Sequence, residues 1–466
     1  MTIATRSIDE LLEDLRGRLA GRIIEPGDAD YEAARTVMYG GIDRHPRAIV
    51  RVASDADVQA VVNLAREANI ELAVRGGGHS VKGDCSTEGG IGLDLHDRKR
   101  IDLDPTAKTV WAETGLTAEE LCTAVAEHGF VLGFGDTGSV GIGGITLGGG
   151  VGYLVRKLGL TIDSLLAADV VTADGQLHRI DPDHEPDLFW AIRGGGGNFG
   201  VATRFQYRLA VVPSVVGGML VLPATAETVE RYMALSEAAP EELSSIANVM
   251  PCPPFPFADE HWHGKIVIFA FMCFAGDVAA GAAALAPFRD VAQLGGLDAP
   301  IVDQVHPIAY PEMYAPEDPD YHPTAVALNL FLDRFDRAIA EAIMDRLERS
   351  DASVRVAQLR VLGGAAARVP IDATAYAHRD RAIMVNIASF YEGEEDRARR
   401  LAWVEELTGA IRRSGDEAAY VNFIADEGPA RVRAAYPHGA YERLAEIKRR
   451  YDPTNLFRLN QNIPPA

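Results

Sequence analysis

The sequence predicts an α+β protein in two parts, a mixed α/β region followed by one with a mainly antiparallel sheet flanked by helices. Three observations carry this. Strand, helix and strand patterns alternate from residue 48 and run into glycine-dense segments. After about residue 210 the glycine patches stop, and strands and helices follow one another in an order that suits a second sheet with helices beside it. The chain ends in a stiff, extended tail, Gln461-Asn-Ile-Pro-Pro465, which stays ordered only if it docks elsewhere. With 466 residues, 47% hydrophobic and 24% charged, the chain can bury more than one core. The expected divisions are 1–210, 211–430 and a returning segment 431–466.

Each element has its own signal. A leucine-bearing acidic stretch from Ile8 to Leu19 predicts a leading helix, with loop and short helix from Gly27 to Gly41. Ala48 to Val52 predicts a strand, and Ser54 with Asp57 three residues on predicts a capped helix whose stripe is Val58, Val61, Val62 and Ala65. The strand Leu72 to Val74 runs straight into Arg75-Gly-Gly-Gly-His-Ser80. Gly92 to Leu95 and Thr109 to Ala112 continue the sheet, and Thr117 with Glu120 caps a helix from Ala118 to His128. Leu166 to Thr172 and Gln176 to Ile180 predict a hairpin about Asp174-Gly175, and Val201 to Tyr207 a strand after Asp187-Leu-Phe-Trp-Ala-Ile-Arg-Gly-Gly-Gly-Gly-Asn-Phe-Gly200. Further strands are expected at 219–222, 244–249, 264–274, 325–332, 354–362 and 383–389. Helices are expected at 226–236, 337–349 and 441–451, and at 279–294 with a kink or break at Pro287.

Glycine this dense costs backbone entropy and buries no side chain, so it marks sharp turns or main chain lying against a large ligand. Three such patches before residue 201 point to a long cofactor with phosphates. The nicotinamide fingerprint does not fit: the run from Gly141 to Gly152 carries glycines at 141, 143, 144, 148, 149, 150 and 152 and reads as loop rather than a helix start.

A formal net charge of -22 argues against capture of nucleic acid or an anionic membrane surface. No apolar run spans a bilayer and no secretory signal is visible at the start, so a cytoplasmic protein is expected. The four cysteines, Cys85, Cys122, Cys252 and Cys273, lack metal or redox spacing; reduced thiols and no metal site are expected.

On these motifs the chain resembles the berberine-bridge-enzyme-like FAD-linked oxidases of the vanillyl-alcohol-oxidase, or PCMH-type, superfamily. The likeness runs from about Pro46 to Pro465 and includes Tyr420-Val-Asn-Phe423 and Tyr451-Asp-Pro-Thr-Asn455 near the end. It implies a two-part FAD-binding domain of PCMH type with an inserted substrate domain. The cofactor-binding residues it implies are Arg75, Gly76, Gly77, Gly78, His79, Ser80 and Gly83 in the first loop. In the second they are Thr137, Gly138, Ser139, Val140, Gly141, Gly143 and Gly144, then Gly148, Gly149, Gly150 and Gly152; Gly200, Val201, Asn460 and Gln461 complete the set. The resemblance further implies FAD joined through its 8α-methyl to His79. No second, cysteinyl link is expected, because Thr137 stands where many relatives carry cysteine. Ile145 stands where several carry histidine, and the small, branched Val140 matches a position that gates oxygen.

The implied reaction is hydride transfer from an alcohol, sugar or amine carbon to flavin N5, a protein base taking the neighbouring proton and dioxygen becoming hydrogen peroxide. A dehydrogenase with another acceptor, or a flavin- or metabolite-binding protein without efficient turnover, stays open. Relatives that oxidise alcohols and sugars place a tyrosine at the position of Phe423, which has no proton to exchange. Tyr420 and Asn422 remain catalytic candidates, on one face of an expected strand with Phe423 on the other. Tyr376 and His378 are candidates for the same chamber, and Tyr310 to Tyr314 with Asp318 to His322 for its wall. The expected partners are a small-molecule substrate and dioxygen.

Overall fold

The computed structural model describes residues 7–412 and 417–466; the first six, read above for a leader, lie outside the described residues. The fold is α+β and rests on three sheets. The first orders Arg22–Ile24, Ala48–Arg51, Ile91–Asp94 and Leu72–Arg75, with the last three parallel. Its crossover helix, Asp55–Ala68, starts where the Ser54 hydroxyl accepts the Asp57 N–H and the Asp57 carboxylate answers the Ser54 N–H. Val58, Val61, Val62 and Ala65 are buried beneath it. The helix stops at Asn69, which takes the left-handed conformation that asparagine tolerates.

The second sheet is antiparallel throughout and runs Ile101–Asp104, Thr109–Glu113, Val201–Arg208, Leu165–Val171, Leu177–Ile180. Its hairpin turns at Asp174-Gly175, where the Thr172 hydroxyl donates to the Asp174 carboxylate at 2.6 Å. The run after Gly141 departs from the loop expected of it. Ile142–Leu147 forms a short helix, because Ile142 and Thr146 are fully buried and the Thr146 hydroxyl meets Tyr207 Oη at 2.8 Å.

The third sheet is the largest, and all its pairings are antiparallel. Its order is Val302–Asp303, Val215–Pro223, Ile266–Ala275, Leu243–Pro251, Arg355–Val361, Ile383–Phe390, Ala325–Leu332, with His306–Ile308 also on the second strand. Ala226–Ala238, Val278–Arg289, Arg337–Arg349 and Gly393–Ile411 cover one face. Strand alternation sends Val249, Leu359, Val385 and Leu330 to those helices. Residues between them point the other way, and the pairing lines up Asn248, Gln358, Asn386 and Asn329 as a row of amides across four strands. The break expected at Pro287 falls at Asp290 instead. Pro287 stays inside its helix, whose next residue, Phe288, packs edge-on against Tyr232 at 5.2 Å and holds the final turn.

The carboxy-terminal helix, Ala440–Tyr451, brings the tail back onto the first region. Lys448 and Asp452 are 0% exposed. The Lys448 ammonium donates to Asp452 Oδ2 at 2.6 Å, to the carbonyl of Asn198 at 2.6 Å and to that of Phe457 at 2.9 Å. Asp452 in turn accepts the N–H groups of Leu456 and Phe457. Asn198 completes the clasp, donating to the Gln461 carbonyl and accepting from Ile463 N–H. Among the described residues no helix is long and apolar enough to cross a membrane, and no group of three or more metal-ligating side chains gathers. None of the four cysteines is in a disulfide.

Removing one partner from a buried ion pair strands the other, at a cost of about 3–5 kcal/mol. Lys448→Met is therefore expected to lower the urea midpoint sharply, and Lys448→Met with Asp452→Leu to lower it less. A single variant that unfolds like the unsubstituted protein would show that the pair does not anchor the tail.

Candidate active site

A cavity of about 1050 Å³ opens between the glycine loops and the amide-bearing face of the large sheet. That is at the upper end of the ~300–1,000 Å³ usual for ligand pockets. Three walls come from the first region. Gly76, Gly77, Gly78, His79 and Ser80 follow the strand Leu72–Arg75; Thr137, Val140, Gly141, Gly143 and Gly144 flank or begin the short helix; Gly200 and Val201 open the strand Val201–Arg208. Asn460 and Gln461 of the tail close one end, and Tyr420, Asn422 and Phe423 join the wall beside the sheet. The sheet itself contributes Ala325, Ala327, Asn386 and Ala388.

The remaining glycines of the second run serve a different purpose. Gly148, Gly149, Gly150 and Gly152 do not line the cavity, although Val151 among them does. A Cβ on Gly148 would lie 1.9 Å from Asn422 Oδ1, and one on Gly149 3.0 Å from the Tyr376 ring. Side chains here would displace the very residues named as catalytic candidates. Gly138, whose Cβ would crowd Glu119 and Tyr314, and Gly83, which would crowd Ile42, also pack against protein. Arg75 turns its guanidinium back to the carbonyls of Ala34 and Thr36.

Tyr420, Asn422 and Phe423 sit in a 3₁₀ turn, Val421–Phe423, rather than on a strand, so all three reach the same wall. The strand reading fails because the Phe423 N–H closes back onto the Tyr420 carbonyl at 3.0 Å. The Tyr420 hydroxyl accepts the Gly150 N–H at 3.0 Å and the Asn422 amide at 2.9 Å. Asn422 uses its second N–H on the Ile145 carbonyl at 3.2 Å. The Tyr420 backbone is fixed by its own N–H donating to Asn329 Oδ1 at 2.6 Å, which ties the turn to the amide row.

Tyr376 and His378 lie behind this wall rather than in it. The Tyr376 ring packs 6.1 Å from Tyr420, and its buried hydroxyl has no hydrogen-bond partner among the described residues. His378 donates through Nε2 to the Ala435 carbonyl at 2.9 Å, and burial pushes its imidazole down to about 4. It is a neutral ring set among Phe331 and Tyr376. Of the other wall candidates, Tyr321 lines the cavity, whereas Tyr310 and Tyr314 are buried against Tyr153 and Cys122.

Sequence reasoning missed the charged pair beside Tyr420. Asp136, on the cavity wall, takes the Arg360 guanidinium at 2.7 Å, and Arg360 lies 5.2 Å from the centre of the Phe423 ring. Gln358 Oε1 accepts two further N–H groups of Arg360. Burial pushes the Tyr420 hydroxyl above the usual phenol range, while the bonds from Gly150 and Asn422 and the Arg360 charge oppose it. The available signals were a charged residue inside the Gly133–Gly141 loop and an arginine two residues after Gln358, on the same face of the strand Arg355–Val361.

His79 projects from its loop into the cavity wall, where Nε2 and the Ser139 hydroxyl lie 2.9 Å apart. Burial lowers its pKa, against the opposing charge of Glu317. The walls also suit a long cofactor. A Cβ on Gly144 or Gly197 would meet nothing within 4 Å, so bare main chain faces open cavity at two of the three glycine patches. Asn460 and Asn386, which line the cavity, each hold a buried Oδ1 without a partner among the described residues, as polar groups awaiting a ligand do.

Comparison with known proteins gives the same picture. Residues 46–181 match the FAD binding domain family, and residues 419–464 match the berberine and berberine-like family. The (R)-6-hydroxynicotine oxidase of Paenarthrobacter nicotinovorans is 29% identical over 462 residues, 96% of this chain and 97% of its own. The crystal structure of 6-hydroxy-D-nicotine oxidase from Arthrobacter nicotinovorans superposes with a TM-score of 0.83 at 26% identity, covering 96% of this chain and 99% of that one. The xylooligosaccharide oxidase of Myceliophthora thermophila C1 shares the fold, with a TM-score of 0.84 at 24% identity over 99% of this chain and all of the other. With FAD-binding and berberine-like segments at the two ends of one continuous fold, the chain belongs to the berberine-bridge-enzyme-like, PCMH-type superfamily of FAD-linked oxidoreductases.

Proposed function

We propose that the protein is an FAD-dependent oxidase of small molecules, carrying its flavin on His79 and oxidising an alcohol, sugar or amine carbon at the expense of dioxygen. The observation that carries the reading is the pairing, on one cavity wall set, of an accessible histidine in a glycine loop with a tyrosine hydroxyl held by two N–H donors. Bound FAD would supply the hydride acceptor and the electron path to dioxygen.

The chain's own residues supply the rest. Gly76 to Ser80, Gly141 to Gly144 and the tail residues Asn460 and Gln461 would hold the cofactor along the glycine walls. Tyr420 handles the substrate proton. Its two acceptor directions are taken by Gly150 and Asn422, so its own O–H remains for the substrate. Loss of that proton is eased by the same donors and by the Arg360 charge. The role open at Phe423 thus falls to Tyr420, three residues earlier. Arg360 is the cationic neighbour that a phenol acting as a base requires. Asp136 neutralises Arg360, so the cavity takes no net charge from the pair. Val140 lines the cavity as a small branched residue, which suits oxygen access and favours an oxidase over a dehydrogenase.

The relatives' names supply part of the test panel, 6-hydroxynicotine and xylooligosaccharides, and secondary alcohols are added to it. Mixed anaerobically with the protein, a true substrate is expected to bleach the flavin band, and admitted air to restore it with one hydrogen peroxide per turnover. Bleaching that air reverses only slowly would identify a dehydrogenase, and no bleaching across the panel would leave a binding protein.

Tyr420→Phe is expected to slow flavin reduction by about 10²–10⁴-fold, the usual contribution of a positioned acid or base, with flavin content unchanged. In the pH profile of flavin reduction, Arg360→Gln is expected to move the rise that reports Tyr420 ionisation toward higher pH, since removing a nearby cation raises a phenol pKa. An unmoved rise would dissociate Arg360 from the proton transfer.

For the attachment, acid-precipitated protein is expected to stay yellow, and His79→Ala to release all its flavin into the supernatant. Free FAD recovered from the unsubstituted protein would refute the covalent assignment.

A further inference from the structure

Gly77 and Gly141 meet backbone to backbone. A Cβ on Gly77 would lie 2.2 Å from Gly141 N and 3.1 Å from the Ser139 carbonyl, and one on Gly141 would lie 2.2 Å from Gly77 N. Glycine at both positions lets the two cofactor loops close until the side chains two residues away, His79 and Ser139, come within hydrogen-bonding distance. His79 Nε2 and Ser139 Oγ are 2.9 Å apart, and among the described residues Nδ1 has no protein partner. Ser139 is itself anchored from outside, because its N–H donates to Glu317 Oε2 at 2.9 Å.

A neutral imidazole carries its hydrogen on one nitrogen and its lone pair on the other. We propose that Ser139 is a positioning residue for flavin attachment: by accepting the Nε2–H of His79 it fixes the tautomer whose Nδ1 lone pair faces the cavity, so that the bond to FAD forms at Nδ1. The inference rests on the reading above that His79 carries the flavin.

The step balances with dioxygen as the oxidant. The 8α-methyl carbon of oxidised FAD loses a proton, and Nδ1 bonds to that carbon. The electron pair left by the broken C–H bond passes to the isoalloxazine ring, the Nε2 proton leaves by way of the Ser139 hydroxyl and water, and the reduced ring takes up two protons. Dioxygen then removes two electrons and two protons as hydrogen peroxide, leaving oxidised flavin on the imidazole. Ser139 touches neither carbon nor flavin in this scheme; it holds the nucleophile's proton in place. Burial keeps the imidazole in its neutral form at neutral pH, the form with a lone pair to offer.

The test follows attachment rather than turnover. Full-length apoprotein, produced under riboflavin limitation, is mixed with FAD in air; timed samples are denatured, run on a gel and scored for flavin fluorescence on the protein band. Ser139→Ala is expected to attach flavin about tenfold more slowly than the unsubstituted protein when both are saturated with FAD, the scale of one lost orienting hydrogen bond. Ser139→Thr, which keeps the hydroxyl, is expected to restore the rate. In the flavin peptide released from the unsubstituted protein, NMR is expected to place the bond at Nδ1. Attachment by Ser139→Ala at the unsubstituted rate, or a bond at Nε2, would overturn the inference and leave the His79 link standing. Flavin that washes off the unsubstituted protein, or stays on His79→Ala, would remove the link and the inference together.

Discussion

Main chain lies against main chain where Gly77 meets Gly141, and the geometry of the site follows from that contact. No other residue pair allows the two loops to approach so closely, since either Cβ would fall 2.2 Å from a backbone nitrogen. Once they touch, His79 faces the cavity with Ser139 behind it, and the short helix Ile142–Leu147 presents its glycines to the same space. The glycine content is thus a requirement of closeness more than of flexibility. Seven and nine residues beyond Gly141 the same rule applies to different neighbours, where Gly148 and Gly150 admit Asn422, Tyr420 and Thr161.

Polar bonds across the chain hold this arrangement from outside. The Lys448 ammonium binds the third glycine patch, the last helix and the tail to one point, and a buried charge with three acceptors leaves little freedom to any of them. Arg379 grips Asp163 through two bonds of 2.7 Å, joining the segment that carries Tyr376 to the turn after the second glycine run. Arg360 with Asp136 does the same from the large sheet to the cavity wall. The cavity therefore sits at a junction whose walls belong to segments far apart in the chain, each fixed by a charge-assisted bond. Such bonds keep their geometry better than apolar contacts do, which suits a cavity assembled from segments so far apart in the chain.

What could be read from the sequence was local. The capping pairs at Ser54 and Thr117, the period-two strands and the glycine loops all signal through neighbours within a few residues, and the structure shows each. The errors arose where a local signal has two physical causes. Glycine marks a close approach without naming what approaches, so Gly148, Gly149 and Gly150 read as ligand contacts when their nearest neighbours are the side chains of Asn422, Tyr376 and Thr161. A tyrosine and a histidine in a polar stretch read as chamber residues, yet Tyr376 and His378 support Tyr420 from behind. The Asp136–Arg360 pair was invisible for a plainer reason: its members are 224 residues apart, and nothing short of the folded sheet brings them together. Likewise the row Asn248, Gln358, Asn386 and Asn329 exists only in the strand register.

That register has a consequence for how such proteins diversify. Along Ile383–Phe390, Val385 and Ile387 are committed to the helix-facing core, while Met384, Asn386 and Ala388 point to the opposite side. Successive residues thus answer to separate selective pressures, one for folding and the next for chemistry. A lineage can change the cavity-lining Asn386 and Ala388 and acquire a new appetite, with the helix-facing core left intact.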